Sequence, residues 1–255
     1  MSNQINYERW LSEINESNSN YEPLFAEREA NPPIFFFGDP ERATAATVGV
    51  NPSATEFENR RWPEECELNY LLERCRNYFG KPMGAPTHQW FQTWELFLEE
   101  MGISYHNSPG AIHLDFSPRA TRSMSSLQRE PEQIQNLFLD LIENDLRYFV
   151  GQIRAYPSIK HLYVAGAVTR KYYAIEFLRK NAQHLGYALK PIVPFERGGP
   201  GQVGLYVLDL GDATPRHLFF CSTSPSARNP RSKVLLLQRA KWLMEKYPKF
   251  VPYDY

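Results

Sequence analysis

Cysteine is scarce in this chain, and so are the patterns that would give it a metal or redox role. Cys66, Cys75 and Cys221 are the three cysteines in 255 residues, and they form neither a Cys-x-x-Cys pair nor a zinc-ligand spacing. Three thiols also fall short of the four that a cubane iron–sulfur cluster takes. No metal, disulfide framework or cofactor is expected, and a reducing cytoplasm fits best. Long hydrophobic runs are missing as well, none approaching the roughly 20 residues that cross a bilayer. The first segment, with Glu8, Glu13 and Glu16, lacks the basic and apolar regions of a signal peptide. Net charge is nearly absent, −1 at neutral pH, so any nucleic-acid binding must come from local patches. Repeats and low-complexity segments are lacking too. These absences predict a soluble cytoplasmic protein, expected as a monomer.

What is present is core material. Hydrophobic residues make up 42% and aromatics 14%, which indicates a folded chain. Its length suits one α/β domain, with a helical N-terminal extension over residues 1–33. The chain is organised around residues 44–57. A run of small and β-branched residues there reads as a strand buried on both faces. It breaks at Gly49-Val50-Asn51-Pro52-Ser53, and Ser53 with Glu56 is a capping-box pattern for a following helix. Asn51 is thereby set at the carboxyl end of a buried strand, where open α/β sheets bind ligands. An isolated Asn-Pro-Ser turn would equally serve to satisfy backbone groups.

Further strands are predicted over residues 34–37, 111–116, 161–165, 189–194, 204–210 and 218–221. Helices are predicted over 68–78, from Trp90 to a Gly102 cap, and over 128–150, 168–179 and 233–247. The alternation predicts a three-layer α/β/α sandwich with a central, mostly parallel sheet of four to five strands.

The last strand ends in a second polar Pro-Ser turn, Ser224-Pro225-Ser226-Ala227-Arg228-Asn229-Pro230. The two turns, in this order with a sheet between, resemble the motifs of the uracil-DNA glycosylase superfamily. There the first motif is Gly-x-(Asn/Asp)-Pro and the second a His-Pro-Ser-type loop before the last helix. Asn51 is similar to the mismatch-specific and single-strand-selective branches, and Arg228-Asn229-Pro230 to the latter in particular. The resemblance covers residues 34–245 in layout and is specific over the two motifs. One departure stands out: Ser224 occupies the place of the His that in the family donates to the departing base.

The resemblance implies a monofunctional DNA glycosylase that acts on a base flipped from the stack. Asn51 would orient water towards the sugar carbon. Ser224 or nearby backbone N–H groups would stabilise the base anion, a donor there being worth roughly 3 kcal/mol. Gly49, Val50, Ser53 and Asp115 would line the base site, and Gly166, Thr169, Ser226, Arg228 and Asn229 would meet DNA. Asp115, on a strand that often carries a base-reading amide in the family, would accept from an exocyclic amine and favour a modified cytosine over uracil. A one-residue shift would put Leu114 there instead, and pairing of Asp115 with Arg119 or Arg122 is an equal alternative. His113 reads as a structural histidine, and Phe91 and Tyr105 as core more than as base-stacking rings.

Three local features admit two readings each. Arg216, His217, Arg228, Arg231, Lys233, Arg239 and Lys241, with Asp212 as the one nearby acid, form either a DNA-facing basic patch or the solvated face of a terminal helix. Gly166 with Thr169 and Arg170 forms either a phosphate site at a helix start or a tight turn. The Gly198–Gly201 stretch suits close approach to DNA or a flexible hairpin tip. Two rival functions remain on this sequence, a non-catalytic binder of modified bases and an α/β enzyme acting on free nucleotides.

Overall fold

The computed structural model describes residues 5–25, 31–52, 67–80, 89–106, 110–169, 172–197, 202–225 and 230–252. Six strands share one sheet: β1 (Ala43–Gly49), β2 (Gly110–Asp115), β3 (His161–Ala165), β4 (Ala188–Val193), β5 (Val203–Asp209) and β6 (Arg216–Cys221). Their spatial order is β2-β1-β3-β6-β5-β4. The first four in that order run parallel, and β5 is antiparallel to both β6 and β4. One strand more is therefore present than the upper count predicted, because the β4–β5 hairpin joins the sheet at the β6 edge. Pro191 lies on the exposed outer strand β4, where a missing N–H interrupts edge-to-edge pairing.

Strand β1 is buried throughout apart from Thr44. Its small residues Ala45 and Ala46 let it sit between β2 and β3 with helices above and below, which is why the run reads as continuously apolar. Seven α-helices are described: α1 (Tyr7–Ser17), α2 (Leu68–Arg76), α3 (Gln89–Glu100), α4 (Met124–Leu127), α5 (Glu132–Ala155), α6 (Ala174–Asn181) and α7 (Pro230–Lys246). Phe97 of α3 packs on Tyr163 and Phe219 on one face of the sheet. Phe149 of α5 and Phe177 of α6 pack on Phe116 at the other. Gly102 ends α3 with φ +76°, the left-handed turn in which Ile103 N–H returns to the Leu98 carbonyl at 3.0 Å.

Two expectations are corrected. Residues 34–37 are fully buried but form no strand, meeting β2 at a single antiparallel bridge between Phe37 and His113. An apolar run that short is buried by packing as readily as by pairing. The helix predicted over 168–179 is α6, which begins at Ala174. The N-terminal extension, helical over Tyr7–Ser17 and Asn18–Leu24, packs into the body of the domain. Ile14 of α1, together with Tyr21, Leu24 and Phe25 beyond it, lies within the main core, and a Cβ on Gly151 of α5 would come within 2.8 Å of the Trp10 ring.

The amino-terminal ends of β3 and β6 pair His161 with His217, with ring centroids 5.6 Å apart. Burial first, then the second imidazole, pulls His161 down from the usual 6.5 to about 4. A depressed base is neutral in both states above pH 6.5, but below it the unfolded chain takes up a proton that the folded chain refuses. Stability is therefore present above pH 6.5 and falls as pH drops towards 4, by up to about 3 kcal/mol. Denaturant titrations are expected to show that loss in the wild type and a shallower one in His161→Leu.

Candidate active site

The four parallel strands all point their carboxyl ends at one cavity of about 280 Å³. Gly49 ends β1 and Val50 to Pro52 follow it, Asp115 ends β2, Ala165 ends β3 with Gly166 and Ala167 after it, and Ser224 follows β6; all of these residues line it. The chain leaves β1 for β2 on one side and β3 returns on the other, so the cavity lies at the sheet's switch point. Phe37, Trp90, Phe91, His113, Arg122 and Ser123 complete the wall. The volume is at the small end of ligand pockets and suits a single ring system.

Asn51 is held with its amide orientation defined. Its Nδ2 donates to the Pro52 carbonyl at 3.0 Å, the Arg119 carbonyl at 3.3 Å and Thr121 Oγ1 at 2.8 Å. Carbonyls accept and never donate, so this edge must be the NH₂ group. Among the described residues no donor meets Oδ1, and Asn51 lines the cavity. Two of the three acceptors for Nδ2, the Arg119 carbonyl and Thr121 Oγ1, come from a loop pinned by a buried ion pair. Arg119 Nε and Nη2 each reach an Asp145 carboxylate oxygen at 3.0 Å, and Ser117 Oγ donates to Asp145 Oδ2 at 2.6 Å. Arg119 also donates to Asn18 Oδ1 at 3.1 Å and Ser17 Oγ at 2.9 Å, tying the N-terminal helices to the site. Burial pushes the Asp145 carboxyl up despite the guanidinium beside it, as expected for a pair whose desolvation rivals its attraction.

Asp115 lines the cavity and pairs with neither arginine considered for it. Arg119 is taken by Asp145, and Arg122 by Glu130 at 2.8 Å. Leu114 is fully buried and not in the lining, so the register that faces Asp115 to the site is the one adopted. Gly49 is required by close approach. A Cβ there would lie 2.4 Å from Asp115 Oδ1 and 3.0 Å from His113 Nε2. Gly49→Ala is expected to displace both side chains at a cost of about 1–3 kcal/mol, read by thermal melting, and to impair any activity that uses Asp115.

Other roles expected from the sequence are redistributed. Gly166 lines the cavity with φ +83°, but it does not open a helix. Its N–H goes to the Cys221 carbonyl at 2.9 Å, its carbonyl accepts from Ala174, and the Val168 and Thr169 N–H groups turn back to Tyr172. These closed bonds favour the tight-turn reading of Gly166 and Thr169 over the phosphate one, since a phosphate site needs free donors. Ser224 lines the cavity mouth as an exposed residue, close enough that a Cβ on Gly166 would sit 3.8 Å from its Oγ. Ser53, Arg170, residues 198–201, Ser226, Arg228 and Asn229 lie outside the described residues. The basic patch shrinks. Arg216 is fully buried, paired with Asp212 at 2.9 Å, and with His217 belongs to the opposite end of β6. Lys241 meets Glu100 at 3.8 Å.

His113 is the clearest omission: instead of serving the core alone, it forms part of the cavity wall. Period-two alternation places His113 and Asp115 on one strand face, so the sequence does carry the signal. Trp90 and Phe37 also line the cavity, which aromatic spacing by itself does not distinguish from core. Among the described residues no group of three or more His, Cys, Asp or Glu could hold a metal ion, and no helix is long and apolar enough to cross a membrane. No family model matches the chain, and no curated protein matches it.

Proposed function

We propose that the chain is a monofunctional DNA glycosylase that hydrolyses the N-glycosidic bond of a damaged or modified base extruded from the stack. The observation that carries the reading is the carboxamide of Asn51, tied by its nitrogen so that an oxygen with no donor among the described residues serves a base-sized cavity at the carboxyl ends of the sheet. Such an oxygen is a poor base but a good director. It would hold a water for attack on the sugar carbon as positive charge develops there. Phe37, Trp90 and Phe91 offer ring surface to an extruded base, and stacking on one such ring is worth about 1–3 kcal/mol. Arg122 and Ser224 bring a cation and a hydroxyl to the wall, either of which would meet negative charge on the leaving base. Asp115 would accept from an exocyclic amine and favour a modified cytosine. Among the described residues no lysine lines the cavity, so strand cleavage through an imine is not expected.

The test is an oligonucleotide panel carrying uracil, hypoxanthine or a modified cytosine, incubated with the protein and then treated with alkali. Strand breaks at the modified position, absent without alkali, support the reading. Tight, salt-sensitive binding with no breaks would favour a non-catalytic reader of modified bases, and turnover of free nucleosides alone would favour an enzyme of free nucleotides.

A further inference from the structure

A chain of buried polar groups runs from the core to the cavity wall, and of its four members only Asp115 is used by the chemistry above. Tyr105 stacks on Phe79 at 4.2 Å, with its backbone N–H held by Glu95 Oε2 at 3.1 Å. Its hydroxyl meets Thr47 Oγ1. Thr47 Oγ1 lies 2.8 Å from His113 Nδ1, and His113 Nε2 faces Asp115 Oδ1 at 3.4 Å. All four residues are under one-tenth exposed.

The hydrogens can be placed by matching donors to acceptors. Burial pushes the Tyr105 phenol well above its usual range, so it keeps its proton, and Thr47 is the acceptor within its reach among the described residues. Thr47 then has its own hydrogen to give. His113 Nδ1 at 2.8 Å is a better target than the Ile112 carbonyl at 3.4 Å. Nδ1 therefore bears a lone pair, and the neutral ring carries its hydrogen on Nε2, facing the carboxylate.

The geometry points to His113 as a specificity-determining residue, locked by the positioning residues Tyr105 and Thr47 in the Nε2–H tautomer so that Asp115 presents an acceptor to base edges bearing an exocyclic amine. A donor facing Oδ1 at 3.4 Å attracts the carboxylate electrostatically without a short hydrogen bond, and leaves its other oxygen for the ligand. With the opposite tautomer, a lone pair would face the carboxylate, and the wall would take carbonyl edges through a protonated acid instead. The substrate half of this inference rests on the glycosylase reading; the tautomer does not.

Two measurements separate them. Long-range proton–nitrogen NMR of the histidine rings is expected to show wild-type His113 with a protonated Nε2 and an acceptor Nδ1. Thr47→Val should shift the Nδ1 signal, and Thr47→Ser should restore it. A wild-type ring protonated on Nδ1 overturns the inference. In single-turnover assays the preference for an amino-bearing over a uracil-bearing oligonucleotide should fall about tenfold in Thr47→Val, one hydrogen bond's worth, and return in Thr47→Ser. A shifted Nδ1 signal with an unchanged preference also overturns it. Should Thr47→Val not fold, Tyr105→Phe carries the same two readouts, since it leaves Thr47 free to accept from the ring. If the wild type releases no base at all, the glycosylase reading fails alone, and the preference is read as relative affinity for the same two oligonucleotides.

Discussion

Replacing Asn51 with alanine is expected to slow base release on the order of 10²- to 10³-fold while leaving binding to duplex DNA intact. The size follows from what the residue would do, which is to hold water at one angle and leave the affinity for DNA to other groups. The fold should survive, because Asn51 is half-buried and two of its three acceptors lie in a loop held independently by Arg119 and Asp145. A second variant tests the orientation and not the group. Thr121→Val keeps volume but removes the 2.8 Å acceptor for Nδ2, freeing the carboxamide to turn. Its rate should fall between wild type and Asn51→Ala, about tenfold below wild type for one lost hydrogen bond. Equal rates for wild type and Asn51→Ala would remove the role assigned to Asn51.

The second large effect belongs to Asp145, which is not part of the cavity wall. Asp145→Ala leaves the Arg119 guanidinium, 4% exposed in its side chain, with its carboxylate partner gone, and such a loss costs about 3–5 kcal/mol. Against a total stability of roughly 5–15 kcal/mol for a domain, the melting midpoint should drop sharply. Activity should fall as well, since the Arg119 loop supplies two of the acceptors for Asn51 Nδ2. The double variant Asp145→Leu with Arg119→Met removes both charges and should recover much of the stability, because burial of the pair itself is costly, as the raised Asp145 carboxyl indicates. Recovery of stability without recovery of rate would separate the loop's mechanical role from its electrostatic one. Independent, additive losses in the two single variants would contradict a shared network.

Much of the framework is legible in the sequence because it depends on local pattern. The β1 run, its break at Gly49 and Asn51, and the Gly102 cap are each short-range signals, and the first two set a strand end that meets the cavity. Asp115 is legible as a site residue, though only the register decides between its alternatives. What supports the site is not legible. Arg119 and Asp145 are 26 residues apart, and Asn51 and Thr121 are 70 apart; no local pattern announces either pairing. Arg216 shows the same limit in reverse. Grouped with the basic residues of the last loop and terminal helix it reads as surface charge, yet the fold buries it between Asp212 and the Ile153 carbonyl. Gly166 reads as opening a helix because strand–glycine–helix is a common order, whereas here a tight turn uses up the donors first.

Whether the cavity beside Asn51 receives a base taken out of the DNA stack decides the proposed function. The decisive experiment is a crystal structure of the protein with a duplex carrying one 2′-fluorinated modified cytidine, whose glycosidic bond resists cleavage. That base is expected in the cavity, its ring against Trp90 or Phe91, its amine within hydrogen-bond distance of Asp115, and a water between Asn51 Oδ1 and the sugar carbon. A duplex bound elsewhere, or bound here with every base still stacked, would refute the proposal.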